Sequence, residues 1–362
     1  MTLRHLLLVV MFLGLLSGCA GQARKNLFVI DVDQTQKGHL MFPPDIDGDV
    51  PRYVYLGHLY GDRNFIDPEP RGPGLLETLG RILDFIKGDA PPRELYRPQT
   101  GVIDEAGRIM VVDRGSPGVF VFDETKATLE LWQQAVGSQM FVSPVGIALG
   151  PDGLLLVADS ELAFVAQLDR QGNPASTIGK GHLTRPTGIA YEASTRRIFV
   201  ADTADHQIKL FDLQGKLLDV WGERGDGPGE FNFPTFITVR DGKLYVSDTI
   251  NARVQVLSTV DGKHLATVGK LGMYVGNMVR PKGVAVDGEG NIYVVESFYD
   301  HLLVYNSRGE FLMPIGGVGS EPGQFHLPSG VWIDARNRVF VADGLNSRVS
   351  VFQFLGGGSE SE

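Results

Sequence analysis

The chain has 362 residues, a formal net charge of −10 and a single cysteine. No Lys/Arg-rich block interrupts the acidic balance, which excludes a nucleic-acid surface built to neutralise phosphates, and one cysteine excludes an intramolecular disulfide. The length exceeds one ordinary hydrophobic core, so several domains or a repeat architecture is expected, and 46 glycines favour repeated turns.

Residues 1–18 open on Arg4 and His5, run uncharged from Leu6 to Leu16 and close on small residues, the pattern of a secretion signal. The apolar run falls short of the ~20 helical residues that cross a hydrocarbon layer. Leu16-Ser17-Gly18-Cys19 resembles the lipobox of bacterial lipoproteins, whose cysteine is acylated and becomes the N-terminus after cleavage. The resemblance implies lipidation at Cys19, membrane attachment through its acyl chains and a place in the bacterial cell envelope. Ala20 after the cysteine, where Asp would retain the protein, implies the outer membrane facing the periplasm. Residues 19–50, with Pro43-Pro44 and several charges, read as a lipidated tether. Asp45-Ile46-Asp47-Gly48-Asp49 starts like a calcium loop, but its twelfth position is Leu56 instead of a bidentate Glu.

Next come a strand-like stretch, 51–65, and an insertion, 66–94. The insertion holds one amphipathic helix marked by Leu75, Leu76, Leu79, Ile82, Leu83 and Ile86. From there to residue 355 the chain repeats. Pro98, Pro144, Pro186, Pro234, Pro281 and Pro328 recur every 42 to 48 residues, and Asp113, Asp159, Asp202, Asp248, Glu296 and Asp343 every 43 to 48. In each unit a proline leads an apolar run, a turn such as Asp152-Gly153 or Asp241-Gly242 follows, and a second run ends on the carboxylate. Third and fourth runs follow, as at 254–257 and 264–268. Four antiparallel strands per unit of this length are a propeller blade, so the expected fold is all-β, a six-bladed β-propeller. The sixth unit stops after its third strand and a disordered tail, 356–362, is expected. Its missing fourth strand is expected from residues 52–60, which would close the ring.

The Pro-x-Gly-Ile/Val-Ala-Val start of the units, their Val-Ala-Asp end, the Asn251-Ala252-Arg253 and Asn346-Ser347-Arg348 triplets, and the linkers 222–231 and 316–325 resemble the NHL repeat family over roughly residues 95–355. The first two units depart from it, with Arg114-Gly115-Ser116-Pro117 and Ser160-Glu161-Leu162-Ala163 in place of Asn-x-Arg.

A carboxylate at the same place in every unit reads as a structural device, because catalysis needs asymmetry between blades. Asp248 with Arg253 and Asp343 with Arg348 have the spacing of a pair across a hairpin. Seven histidines follow the signal: His39, His58, His182, His206, His264, His301 and His326. They form no HxH or HxxxH pair, and only His182 and His326 are candidate metal ligands. Six-bladed lyases and lactonases carry His, Glu, Asp or Asn ligands facing the channel. The residues after the leading prolines here are Gln99, Val145, Thr187, Thr235, Lys282 and Ser329, which is not a ligand set. Gly316-Gly317-Val318-Gly319 precedes a strand and so lacks the helix N-terminus of a phosphate loop. No cofactor is expected. A ubiquitin-ligase role fails for want of a Cys/His zinc domain.

The sequence therefore reads as a lipid-anchored, non-catalytic scaffold for an envelope protein, peptide or glycan, with no nucleic-acid partner. Its candidate binding rim is Arg114, Asp205, His206, Asn251, Arg253, Tyr299, Asp300, His301, Asn346 and Arg348. The alternative is a metal-dependent lyase or hydrolase with its site in the channel.

Overall fold

The computed structural model describes residues 27–30, 40–44, 49–66 and 92–356. The signal and lipobox with Cys19, His39, Asp45 to Gly48, the helix expected at 75–86 and the tail beyond Gly356 lie outside them.

Six antiparallel sheets form a closed ring. Blades 1 to 5 are the four-stranded sheets at 98–132, 144–178, 186–221, 234–268 and 281–316. Blade 6 holds Pro328–Ile333, Arg338–Asp343 and Arg348–Phe354, and its fourth strand is Tyr53–Leu59. Turn chemistry sets the local hairpins: Asp241 and Gly242 both take positive φ, 48° and 71°, as a two-residue turn between right-twisted strands requires. Packing then follows from alternation. Buried side chains gather into six apolar clusters, each shared by two neighbouring blades, as where Phe199 and Trp221 of blade 3 meet Ile237 and Leu244 of blade 4.

The Pro-x-Gly start has a tertiary cause. A Cβ on Gly146 would stand 2.0 Å from the Thr187 carbonyl oxygen, and one on Gly330 would stand 2.3 Å from that of Gln99. The first strand of each blade lines the central channel, and these glycines let neighbouring first strands approach.

The ring closes as the incomplete sixth unit requires. Leu59 pairs with Val349 and Tyr53 with Phe354, with a register shift near Gly57. The seam is densely aromatic: Tyr55 lies 5.5 Å from Phe352, and the Tyr53 and Tyr293 hydroxyls hydrogen-bond at 2.9 Å. Part of the expected tether is built into the propeller instead. Met41–Phe42 adds a fifth strand beside Tyr53–Val54, and Phe42 packs on Phe352 at 5.8 Å. Leu27–Phe28 pairs with Phe65–Ile66, with Phe28 against Phe122. These contacts cover apolar surface that the last strands would otherwise leave in water.

Candidate binding face

Topology separates the two faces of the disc. First strands start, and second strands end, at one face, which also carries the linkers between blades 1 to 6; we call it the linker face. The turns joining strands one to two and three to four lie on the opposite turn face.

The six repeat carboxylates sit just under the linker face, each essentially without solvent contact. Each ties the residues before its leading proline to the hairpin after it, and the blades do so with different donors. In blade 1, Asp113 accepts the amides of Tyr96 and Arg97 at 2.8 and 2.9 Å and those of Gly115 and Ser116 at 2.7 Å. Asp159 has the same kind of set from Val142, Ser143, Glu161 and Leu162. Neither unit has Asn-x-Arg, and turn amides take the place of those side chains. In blades 4 and 6 the side chains serve: Asn251 and Arg253 each donate to Asp248 at 2.8 Å, and Asn346 and Arg348 donate to Asp343 at 2.8 and 2.9 Å. Blade 3 uses buried Lys209, which donates to Asp202 at 2.7 Å and also bonds Asp205. Burial opposes that ammonium charge, but the bonds to Asp202 and Asp205 win and hold its pKa above the ordinary lysine value. Burial pushes the Asp113 and Asp343 carboxyls above the usual carboxylate range despite their donors.

Most of the candidate rim is therefore occupied internally. Arg348 is buried and donates to the carbonyls of Ser320, Glu321 and Gln324; Arg253 donates to those of Gly227 and Glu230. Asn251 and Asn346 clamp the Gly225 and Gly319 carbonyls. His206 and Asp300 accept the amides of Phe233 and Leu327, each on the next linker, and Asp205 is held by Lys209. The triplets thus secure linkers to blades. Arg114 is exposed, and Tyr299 and His301 are half-buried.

His182 and His326 are exposed, in the linkers that lead into blades 3 and 6, half a ring apart. Among the described residues no group of three His, Cys, Asp or Glu side chains could hold a metal. The channel, about 320 Å³, is lined by all six first strands with glycine and apolar side chains, joined by Thr100, Thr238, Tyr191 and Arg240. Among the described residues that line this cavity there is no carboxylate, imidazole or thiolate. His58, on the closing strand, is buried against Tyr55 and accepts from Arg348 at 3.0 Å; burial first, then Arg348, pushes its pKa down to about 3.

The linker face has two features that residue order hides. Large apolar side chains stand exposed around it: Tyr96, Phe233, Ile250, Phe298, Leu327 and Leu345 near the channel, and Leu271, Met273, Tyr274 and Val275 on the linker into blade 5, with Tyr274 83% exposed. Among the described residues, the turn face presents Val260 at a hairpin tip, and Val50 and Leu355 where the third strand of blade 6 ends and the fourth begins. The second feature is charge. Arg97 and Arg114 of blade 1 and Arg280 of blade 5 are exposed at the channel mouth around half-buried Lys282. Burial, then Arg280, Arg114 and Arg97, push the Lys282 pKa below the ordinary lysine value.

No protein-family profile matches the chain. Curated relatives match part of it. The peptidyl-glycine alpha-amidating monooxygenase of Mus musculus is 30% identical over 158 residues, 39% of this chain and 16% of that protein. Protein brain tumor of Drosophila melanogaster is 28% identical over 138 residues, 37% of this chain and 13% of that protein. NHL repeat-containing protein 3 of Mus musculus is 27% identical over 177 residues, 44% of this chain and 51% of that protein. The chain thus spans only a small part of the first relatives it matches. Among solved structures, a gluconolactonase of Xanthomonas campestris aligns with a TM-score of 0.56 at 15% identity, covering 72% of this chain and 86% of the lactonase. Virginiamycin B lyase of Staphylococcus aureus aligns with a TM-score of 0.53 at 11% identity, covering 91% of this chain and 98% of the lyase. At these identities the likeness is one of fold. Ring and strand order make the chain a six-bladed β-propeller, and part of it is similar in sequence to NHL repeat-containing protein 3.

Proposed function

We propose that this protein is a non-catalytic binding scaffold, anchored by lipid at Cys19 in the bacterial cell envelope, and that its linker face takes a partner protein or peptide. The observation that carries the reading is the uneven distribution of exposed apolar side chains between the two faces. A soluble surface seldom leaves so many large apolar groups together unless they meet a partner. Rigid support adds to this, because each linker is tied through a buried carboxylate to its blade, so the face is pre-organised and binding costs little ordering entropy. The secretion pattern of residues 1–18 and the lipobox support the envelope location.

Two experiments test the parts separately. A photo-crosslinking amino acid placed at Phe298 or Ile250 is expected to form adducts in cells, and the same group at Val260, or at Arg196 in the turn between the first two strands of blade 3, is not. Adducts confined to the turn-face positions would reverse the assignment. Radiolabelled palmitate is expected in the intact protein and absent from Cys19→Ala, which should leave the membrane fraction; label retained by that variant would remove the anchor from the proposal.

A further inference from the structure

The cations at the channel mouth come from blades 5 and 1, which flank blade 6 in the ring. Lys282 directly follows the leading proline of blade 5, so it stands at the top of the channel wall. Blade 6 presents only Ser329 and Gly330 at the matching level, and the Ser329 hydroxyl turns away to donate to the Pro98 and Gln99 carbonyls at 3.0 and 2.8 Å. At the level of Lys282 blade 6 therefore sets only small side chains, while Leu327, before its leading proline, stands exposed on the linker. On blade 1 the Arg114 amide donates to the Arg97 carbonyl at 3.1 Å, which sets the two arginines side by side.

Nothing among the described residues neutralises them. The side chains of Arg97, Arg114, Arg280 and Lys282 have no ion pair or hydrogen bond there, although the chain carries ten more negative than positive charges. The carboxylates that end the second strands of these two blades, Asp113 and Glu296, are sunk beneath the surface and satisfied by backbone amides. Four like charges held together without counter-charge oppose folding, so their arrangement calls for an anion.

We propose that this channel mouth is a carboxylate-binding site, and that its ligand is an acidic segment of a partner protein whose apolar neighbours lie on Tyr96, Phe298 and Leu327. The proposal rests on the linker-face reading above and adds the chemistry of the partner. Shape selects the ligand class. Lys282 is recessed, so a protruding side-chain or terminal carboxylate reaches it and a flat lipid surface does not. Four clustered cations in an otherwise acidic protein also lack the extended basic track that a nucleic-acid backbone needs.

The test uses the full chain with Cys19→Ala, so that acyl groups play no part, and a rhodamine-labelled twelve-residue peptide of alternating Glu and Leu. Binding is expected by fluorescence anisotropy, weakening steadily with added salt. It should be at least tenfold weaker for Lys282→Met, for Arg280→Glu and for the matching Gln-Leu peptide. Lys282→Met is also expected to raise the melting temperature by about 2 °C, because it removes a desolvated charge from among three others; a purely structural lysine would give the opposite shift. Should that variant fold poorly, Arg280→Glu on exposed surface reads the site alone. Equal affinity for the Gln peptide, unchanged affinity in both variants, or tighter binding to phosphatidylglycerol vesicles or oligothymidine than to the Glu peptide would each overturn the proposal. Crosslinks at Phe298 without Glu-dependent binding would leave the linker-face reading standing and remove the carboxylate site alone.

Discussion

At the residue scale, two arginines of similar sequence context have opposite fates. Arg114 follows its blade's carboxylate directly and stands in solvent, whereas Arg348, five residues after Asp343, turns inward to pair with it and to cap three linker carbonyls. Replacing Arg348 leaves Asp343 buried and short of a donor, so Arg348→Ala is expected to cost about 3–5 kcal/mol in urea unfolding. Arg114→Ala is expected to stay within about 0.5 kcal/mol. Equal effects would mean that Arg348 is as free as Arg114. The pairing of Asp343 with Arg348 was legible from spacing, because a hairpin brings residues five apart together. That this pairing consumes a candidate rim residue was not, since spacing does not say which way a side chain turns.

At the scale of the element, the closing strand is the most informative segment. Its alternation and terminal glycine made it readable as the fourth strand of a blade 290 positions away in sequence, His58 facing Arg348. It also buries a titratable group. His58 is held neutral, with its pKa lowered to about 3 from an ordinary 6.5. The unfolded chain therefore takes up a proton below pH 6.5 that the folded chain refuses, so stability is constant above that pH and falls as pH drops toward 3. Between pH 7 and 5 the wild type should lose about 2 kcal/mol through this group. His58→Gln should lose that much less over the same interval, as read from urea midpoints. The comparison isolates the histidine, because Asp343 on the other side of Arg348 titrates in both proteins. A variant with an undiminished pH slope would show that His58 is not the group responsible. Two-residue pairings such as Met41–Phe42 and Leu27–Phe28 escaped the sequence reading for a plain reason: they are too short to carry a period.

At the scale of the whole molecule, stability resides between blades. Every apolar cluster is shared by two of them, and the cluster at 59, 95, 342 and 349 joins the last blade to the first. Ring closure is thus a stability term and also protects an edge, since without Tyr53–Leu59 the strand Arg348–Phe354 would offer unpaired backbone groups to other chains. A chain beginning at Gly61 is expected to form oligomers by light scattering and to melt well below the intact protein. A monomeric product of unchanged melting temperature would mean that the seam contributes nothing.

What the sequence determined alone is the repeat, the number of blades, the strand order within them and the borrowed fourth strand. All of these follow from local periodicity and turn chemistry, which act over a few residues and leave a pattern in the order of the chain. Tertiary structure decided which face is apolar, which arginines are free and that Lys282 comes within electrostatic reach of Arg97 and Arg114. Those facts depend on residues nearly two hundred positions apart being carried to one point by the ring, and no local pattern in the chain marks that convergence.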